Sequence, residues 1–150
     1  MYFYIVIERG MAYNGIRISM SKKHWEGVTE KMKLAVIFGG ISSEHDISCL
    51  SAASILRNLD KSKYEIHAVG ITREGRWYYL PECDADAIES GAWESRNDLV
   101  PALLPPDRSI HGLVLLREGE TEFVRLDCVF PVLHGEHSED GAIQGLLEMA

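Results

Sequence analysis

The chain has 150 residues, 46% of them hydrophobic and 25% charged, with a formal net charge of −8. That length and balance suit one globular domain with a real core. The acidic excess argues against a nucleic-acid or anionic-membrane surface, since both need clustered Lys and Arg, and no apolar run approaches the roughly 20 residues that span a bilayer. Neither nucleic acid nor membrane is expected as a partner.

The first seven residues, Met1 to Ile7, are apolar but lack the basic region and length of an export signal. After them the pattern loses period, and Gly10, Asn14-Gly15 and Gly27 punctuate it. Residues 1–31 are expected to be an extension, disordered or a start-site artefact, ahead of a domain over 32–150. The competing reading is a short strand over 2–7, added to a sheet edge.

From Met32 strands and helices alternate. Leu34-Ala-Val-Ile-Phe38 reads as a buried parallel strand, aliphatic without polar alternation. It stops at Gly39-Gly40, and Ser43 with Asp46 predicts a capping box at a helix start. The helix should run to about Asn58, with Ala52, Ile55, Leu56 and Leu59 on its core face. Tyr64 to Thr72 predicts a second strand, parallel to the first. Trp77-Tyr-Tyr-Leu80 is β-prone, and its aromatics suit sheet packing.

Residues 81–108 carry four of the five prolines and many acids, and read as an insertion with one short helix near Asp84–Ser90. Residues 112–116 and 121–125 flank Glu118-Gly119 as a hairpin. Asp127 to His134 predicts another buried strand, in which Pro131 favours an edge or a bulge. A polar loop, Gly135 to Gly141, opens a helix over 142–150. That helix shows no C-cap, so the domain is expected to be incomplete at its C-terminus. The fold class predicted is α/β, a three-layer Rossmann-like arrangement with a parallel sheet, flanking helices and a β-hairpin excursion. Cys49, Cys83 and Cys128 are odd in number and form no CxxC, so free thiols in a reducing cytoplasm are expected.

Two polar clusters follow buried strands, where ligands collect in open α/β sheets. The first is Gly39-Gly-Ile-Ser-Ser-Glu-His-Asp-Ile-Ser48. It meets neither standard nucleotide fingerprint. A carboxylate at Glu44 would repel a phosphate on the helix N-terminus and suits a cationic group instead. Glu44 and Asp46 also complement the helix dipole, and taken alone that role is the simpler reading. His45 reads as a surface histidine. The second cluster is His134-Gly-Glu-His-Ser-Glu-Asp-Gly141. Its two histidines are a weak metal signal, and a loop capping the next helix through Asp140 is the simpler reading. No metal ligand is assigned.

Together the two clusters resemble the N-terminal domain of D-alanine–D-alanine ligases over residues 33–150. The resemblance implies a cytoplasmic, homodimeric ATP-grasp ligase of peptidoglycan precursor synthesis, using ATP and magnesium to join two D-alanines through a D-alanyl phosphate. It implies that Glu44 pairs with the ammonium of the first D-alanine, that Ser48 supports that glutamate, and that His134 lies beside the same substrate. Gly39, Gly40, Glu139, Asp140 and Gly141 would shape the supporting loops, and Ser138 stands where the family usually has glycine. No reacting group is expected in this segment, because the ATP and magnesium residues of the family lie beyond residue 150. The chain alone should therefore be inactive. The alternatives are a D-alanine–D-lactate ligase relative, a Rossmann-like nucleotide or cofactor module with Thr72-Arg73 as a 2′-phosphate reader, and a non-catalytic remnant.

Overall fold

The computed structural model describes Val6–Ile7 and residues 30–150. Strand β1 is Val6–Ile7, β2 Met32–Gly39, β3 Tyr64–Ile71, β4 Trp77–Leu80, β5 Val100–Leu103, β6 Gly112–Arg117, β7 Glu120–Arg125 and β8 Cys128–Pro131. Helices are α1 His45–Asn58, α2 Ala85–Glu89 and α3 Ala142–Met149, with a 3-10 turn at Ala92–Ser95. They form one sheet in the order β1-β8-β2-β3-β4-β5-β6-β7.

The heart of the sheet is parallel: β2 pairs with β3 from Met32↔Tyr64 to Gly39↔Ile71, and with β8 from Leu34↔Cys128 to Ile37↔Pro131. Beyond β3 every pairing is antiparallel, as is β1 against β8. The aliphatic run of β2 makes it the central strand, because only a strand covered on both faces gains from apolar residues at every position. Leu34, Val36 and Phe38 meet Cys49, Ala52, Ala53 and Leu56 of α1 on one face. Ala35 and Ile37 share the other with Val69, Leu113, Leu115, and Ile143 and Leu147 of α3. Helices thus cover both faces, giving three layers. Burying each large side chain here contributes roughly 1.5–3 kcal/mol.

The expected capping box does not form. Glu44 is the N-cap of α1 and makes no side-chain cap bond. Asp46 turns instead to Arg73, at 2.5 Å, a charged donor delivered by the turn after β3. α1 ends at Asn58 as expected, with the Leu59 N–H donating to the Ile55 carbonyl.

Residues 81–108, expected as an insertion with a short helix near Asp84–Ser90, do carry that helix and are packed into the domain. Asp84 caps α2 by accepting from the N–H groups of Asp86 and Ala87. Ile88 and Trp93 are fully buried against the α1 side of the core. Trp93 fits because residue 70 is glycine: a Cβ there would lie 2.4 Å from the indole ring. β5 then joins β4 to β6, so the β6–β7 hairpin extends the sheet rather than leaving it. The hairpin closes through Glu118 and Gly119 (φ 79°).

β8 is shorter than expected, ending at Pro131. The Val132 N–H donates to the Ile37 carbonyl, so the neighbouring proline, which lacks an N–H, faces away from β2. On that side β1 pairs only with Cys128 and Val129. Val6–Ile7 are thus paired at the sheet edge, while the rest of the strand proposed over 2–7 and the start-site reading of 1–31 lie outside the described residues.

Candidate functional site

The parallel strands deliver two loops to one end of the sheet, and α1 fastens them. At the end of β2, Gly39 and Gly40 take φ of 86° and 101°, which glycine adopts without steric cost. The Gly40 N–H donates to the Ile71 carbonyl at 2.8 Å. A Cβ on Gly39 would sit 2.2 Å from that same oxygen. Ser48, fully buried on the first turns of α1, accepts from the Gly39 N–H at 2.8 Å and donates to the Val132 carbonyl at 2.5 Å. One hydroxyl therefore ties the end of β2 to the end of β8, across 84 residues of chain. The geometry makes Ser48 a backbone clamp.

The chain then passes through Leu133 and His134 to Gly135, at φ 71°. A Cβ on Gly135 would fall 2.3 Å from the Ser42 hydroxyl and 3.0 Å from Oε2 of Glu44. The two clusters meet here: the Glu44 carboxylate lies against the residue after His134. Ser42 is buried, and its hydroxyl accepts from the Glu44 N–H at 3.0 Å, holding the start of α1 in place. The Glu44 side chain is exposed and has no ion-pair partner among the described residues. Nε2 of His134 is buried without a hydrogen-bond partner among the described residues. An unpaired carboxylate and an unsatisfied imidazole nitrogen on adjoining loops form a wall that can take an ammonium and further polar atoms.

Glu139, Asp140 and Gly141 shape the second loop. Asp140 accepts from the N–H groups of Ala142 and His137, both at 3.0 Å, and these bonds hold its carboxyl below the usual carboxylate range. Gly141, at φ 91°, is the N-cap of α3. Glu139 is exposed, and its N–H donates to the Gly135 carbonyl. Ser138 is buried, with its own N–H on that carbonyl too. His137 turns to Asp140 at 3.7 Å, away from an H-x-x-H metal grip, and no three His, Cys, Asp or Glu side chains converge among the described residues.

His45 is not on the surface. It is 2% exposed, lies parallel to the Trp93 indole, and contacts the Gly40 carbonyl and the Glu94 carboxylate. Sequence reasoning missed Trp93 and Glu94 as neighbours of the site. Their one signal was a tryptophan within an otherwise acidic stretch. Arg73 is committed to Asp46, and the Thr72 hydroxyl accepts from the Arg76 N–H, so neither is arranged as a 2′-phosphate reader. Two clefts, of about 410 and 330 Å³, lie elsewhere and are lined by neither Glu44 nor His134.

A family model described as D-ala D-ala ligase N-terminus matches residues 33–150. A D-alanine–D-alanine ligase of Thermoanaerobacter pseudethanolicus is 51% identical over 120 residues, which are 80% of this chain and 33% of that one. A vancomycin B-type resistance protein, VanB, of Enterococcus faecalis is 47% identical over the same shares. Among solved structures, the VanG D-Ala:D-Ser ligase of Enterococcus faecalis matches with a TM-score of 0.74 and 36% identity, covering 81% of this chain and 34% of that one. The D-alanine–D-alanine ligase of Coxiella burnetii matches with a TM-score of 0.66 and 34% identity, over 79% and 34%. The chain spans about a third of the length of these relatives. With the sheet, the two glycine-rich loops and these matches in agreement, the chain belongs to the D-alanine–D-alanine ligase family, of which it carries the N-terminal domain.

Proposed function

We propose that this domain forms the first-amino-acid wall of an ATP-dependent ligase that joins two D-alanines, through a D-alanyl phosphate, for peptidoglycan precursor synthesis. The observation that carries this reading is the unpaired Glu44 carboxylate against Gly135, the residue that follows His134, whose Nε2 has no hydrogen-bond partner among the described residues. Glu44 takes the ammonium of the first D-alanine, and His134 faces the same molecule. Ser48 acts one step back, by holding the backbone on both sides, and Gly39, Gly40, Glu139, Asp140 and Gly141 shape the two loops.

The residues present do not fit ATP or magnesium. The helix start that could hold a phosphate carries Glu44 instead, and no set of metal ligands gathers among the described residues. Both are assigned to the remainder of the ligase, and the domain alone is expected to be inactive. Relatives named as a putative D-alanine–D-lactate ligase and as a D-Ala:D-Ser ligase carry a similar domain. This agrees with a wall that reads the amino acid they share. The ligase acts in the cytoplasm, whose reducing conditions suit the free thiols of Cys49 and Cys83. It pairs as a homodimer through the outer face of β5–β7, where Leu103, Leu116 and Phe123 are exposed.

The test is Glu44→Gln in the full-length ligase. Removing one charge of a pair that the bound substrate desolvates should raise the Michaelis constant for the first D-alanine on the order of 100-fold. An unchanged constant and turnover would reject the assignment.

A further inference from the structure

The polar groups of the Gly39-Gly40 turn are pinned at three points. The Gly39 N–H is held by Ser48, and the Gly40 N–H by the Ile71 carbonyl. The Gly40 carbonyl is held by Nδ1 of His45, at 2.7 Å. The first two anchors belong to the strand–helix–strand unit itself. The third reaches outside it, because Nε2 of His45 lies 3.1 Å from Oε1 of Glu94, on the 3-10 turn within residues 81–108. The ring is parallel to Trp93 at 6.3 Å, and its Cε1 lies 3.0 Å from where a Cβ on Gly39 would stand. A carbonyl oxygen only accepts, so Nδ1 carries a proton. The Glu94 carboxylate also only accepts, so the Nε2 contact is a hydrogen bond when Nε2 carries a proton too, and the ring is then fixed in tilt and depth.

We propose that His45 is a positioning residue for the first substrate, a strut from Glu94 to the Gly40 carbonyl that sets the angle at which the chain enters α1 and so the place of the Glu44 carboxylate. Two consecutive glycines at positive φ have more backbone freedom than any other pair. Glu44 follows four residues later, and His45 itself is the next. A rotation at Gly40 would carry the carboxylate away from Gly135. Through Glu94, the segment over 81–108 becomes part of the site's support without touching a substrate. This rests on the assignment of Glu44 made above.

Two isosteric replacements separate the atoms. In the full-length ligase His45→Asn keeps a donor near Nδ1, whereas His45→Gln moves it to the place of Nε2. His45→Asn, which loses only the Glu94 contact, should raise the Michaelis constant for the first D-alanine about threefold, while His45→Gln should raise it about tenfold, the worth of one hydrogen bond. Turnover at saturation should hardly move in either. Glu94→Ala, at a half-buried position, should raise the same constant about threefold. Nitrogen-15 spectra of the unaltered 150-residue chain should show a slowly exchanging proton on Nδ1 of His45. Equal constants for Asn and Gln, a fall in turnover without a change in the constant, or an unprotonated Nδ1 would overturn the proposal. Glu44→Gln run alongside identifies the level of failure. If it has no effect, the reading of the site falls and this inference with it. If it acts while Asn and Gln do not differ, only the strut is wrong.

Discussion

In the parallel part of the sheet, six consecutive residues of β2, Leu34 to Gly39, are buried; in β7, at the antiparallel end, five of six residues are exposed. The contrast follows from what covers each strand. β2 has α1 on one face and α3 on the other, so its polar chemistry is confined to its end. Because β2 and β8 run the same way, their ends coincide, and the loops after them converge. The antiparallel strands alternate direction and scatter their turns over two sides. The turns differ as well: side chains on Gly39 and Gly135 would strike atoms at 2.2 and 2.3 Å, whereas Gly119, in the hairpin turn, has nothing within 4 Å; within β6, Gly112 is as crowded, at 2.0 Å from the Val124 carbonyl.

The largest expected difference is therefore between the Gly39 turn and the Gly119 turn. Gly39→Ala should cost at least about 3 kcal/mol, from overlap with the Ile71 carbonyl and the unfavourable φ. Gly119→Ala should cost about 1 kcal/mol, from φ alone. Urea midpoints of the two variants measure this, and equal losses would contradict the contrast. Next comes the clamp. Ser48→Ala strands a buried N–H and a buried carbonyl, and should cost about 2–4 kcal/mol. Thr121→Ala, an exposed hydroxyl on β7, should stay within about 0.5 kcal/mol. The same denaturation assay decides.

A chemical probe reads the burial directly. Burial pushes the thiols of Cys49 on α1 and Cys128 on β8 up to about 11, from an ordinary 9.0. At pH 8 alkylation of both should be about 100-fold slower in the folded chain than in urea, in proportion to the thiolate present. Their folded values are raised, so their contribution to stability is whole below about pH 9 and is lost as the pH climbs toward 11. Rapid alkylation of the native chain would show that this core opens. The smallest effect belongs to Phe123, 64% exposed on the antiparallel part. Phe123→Ser should move the unfolding midpoint by no more than about 0.5 kcal/mol, yet should shift the full-length ligase from dimer toward monomer in sedimentation if that face is the interface.

Much of this was legible in the chain. The aliphatic run of β2, the stripe of α1 and the Glu118-Gly119 hairpin are local patterns, and local patterns survive folding when packing agrees with them. Glu44 and His134 were legible as candidates because each closes a strand with polar residues among glycines. Residues 81–108 misled, since short elements with acids outward look like loop until Ile88 and Trp93 are seen to be buried. His45 misled for a related reason: one histidine in a polar stretch has no period, and the space that receives it is made by Trp93, which in turn depends on the missing side chain of Gly70.

By itself, then, the sequence determined which segments are apolar enough to be strands, where glycine interrupts them, and that the charge at the first turn is negative. That charge is the reason an ammonium is proposed there rather than a phosphate. Only the tertiary structure decided that Gly135 comes within reach of Glu44, that one serine hydroxyl joins two strand ends, and that a histidine from the motif turns inward to Glu94. Those are contacts between residues far apart in the chain, fixed by the parallel pairing of β2 with β8 and by the space between α1 and the sheet, which no local pattern encodes.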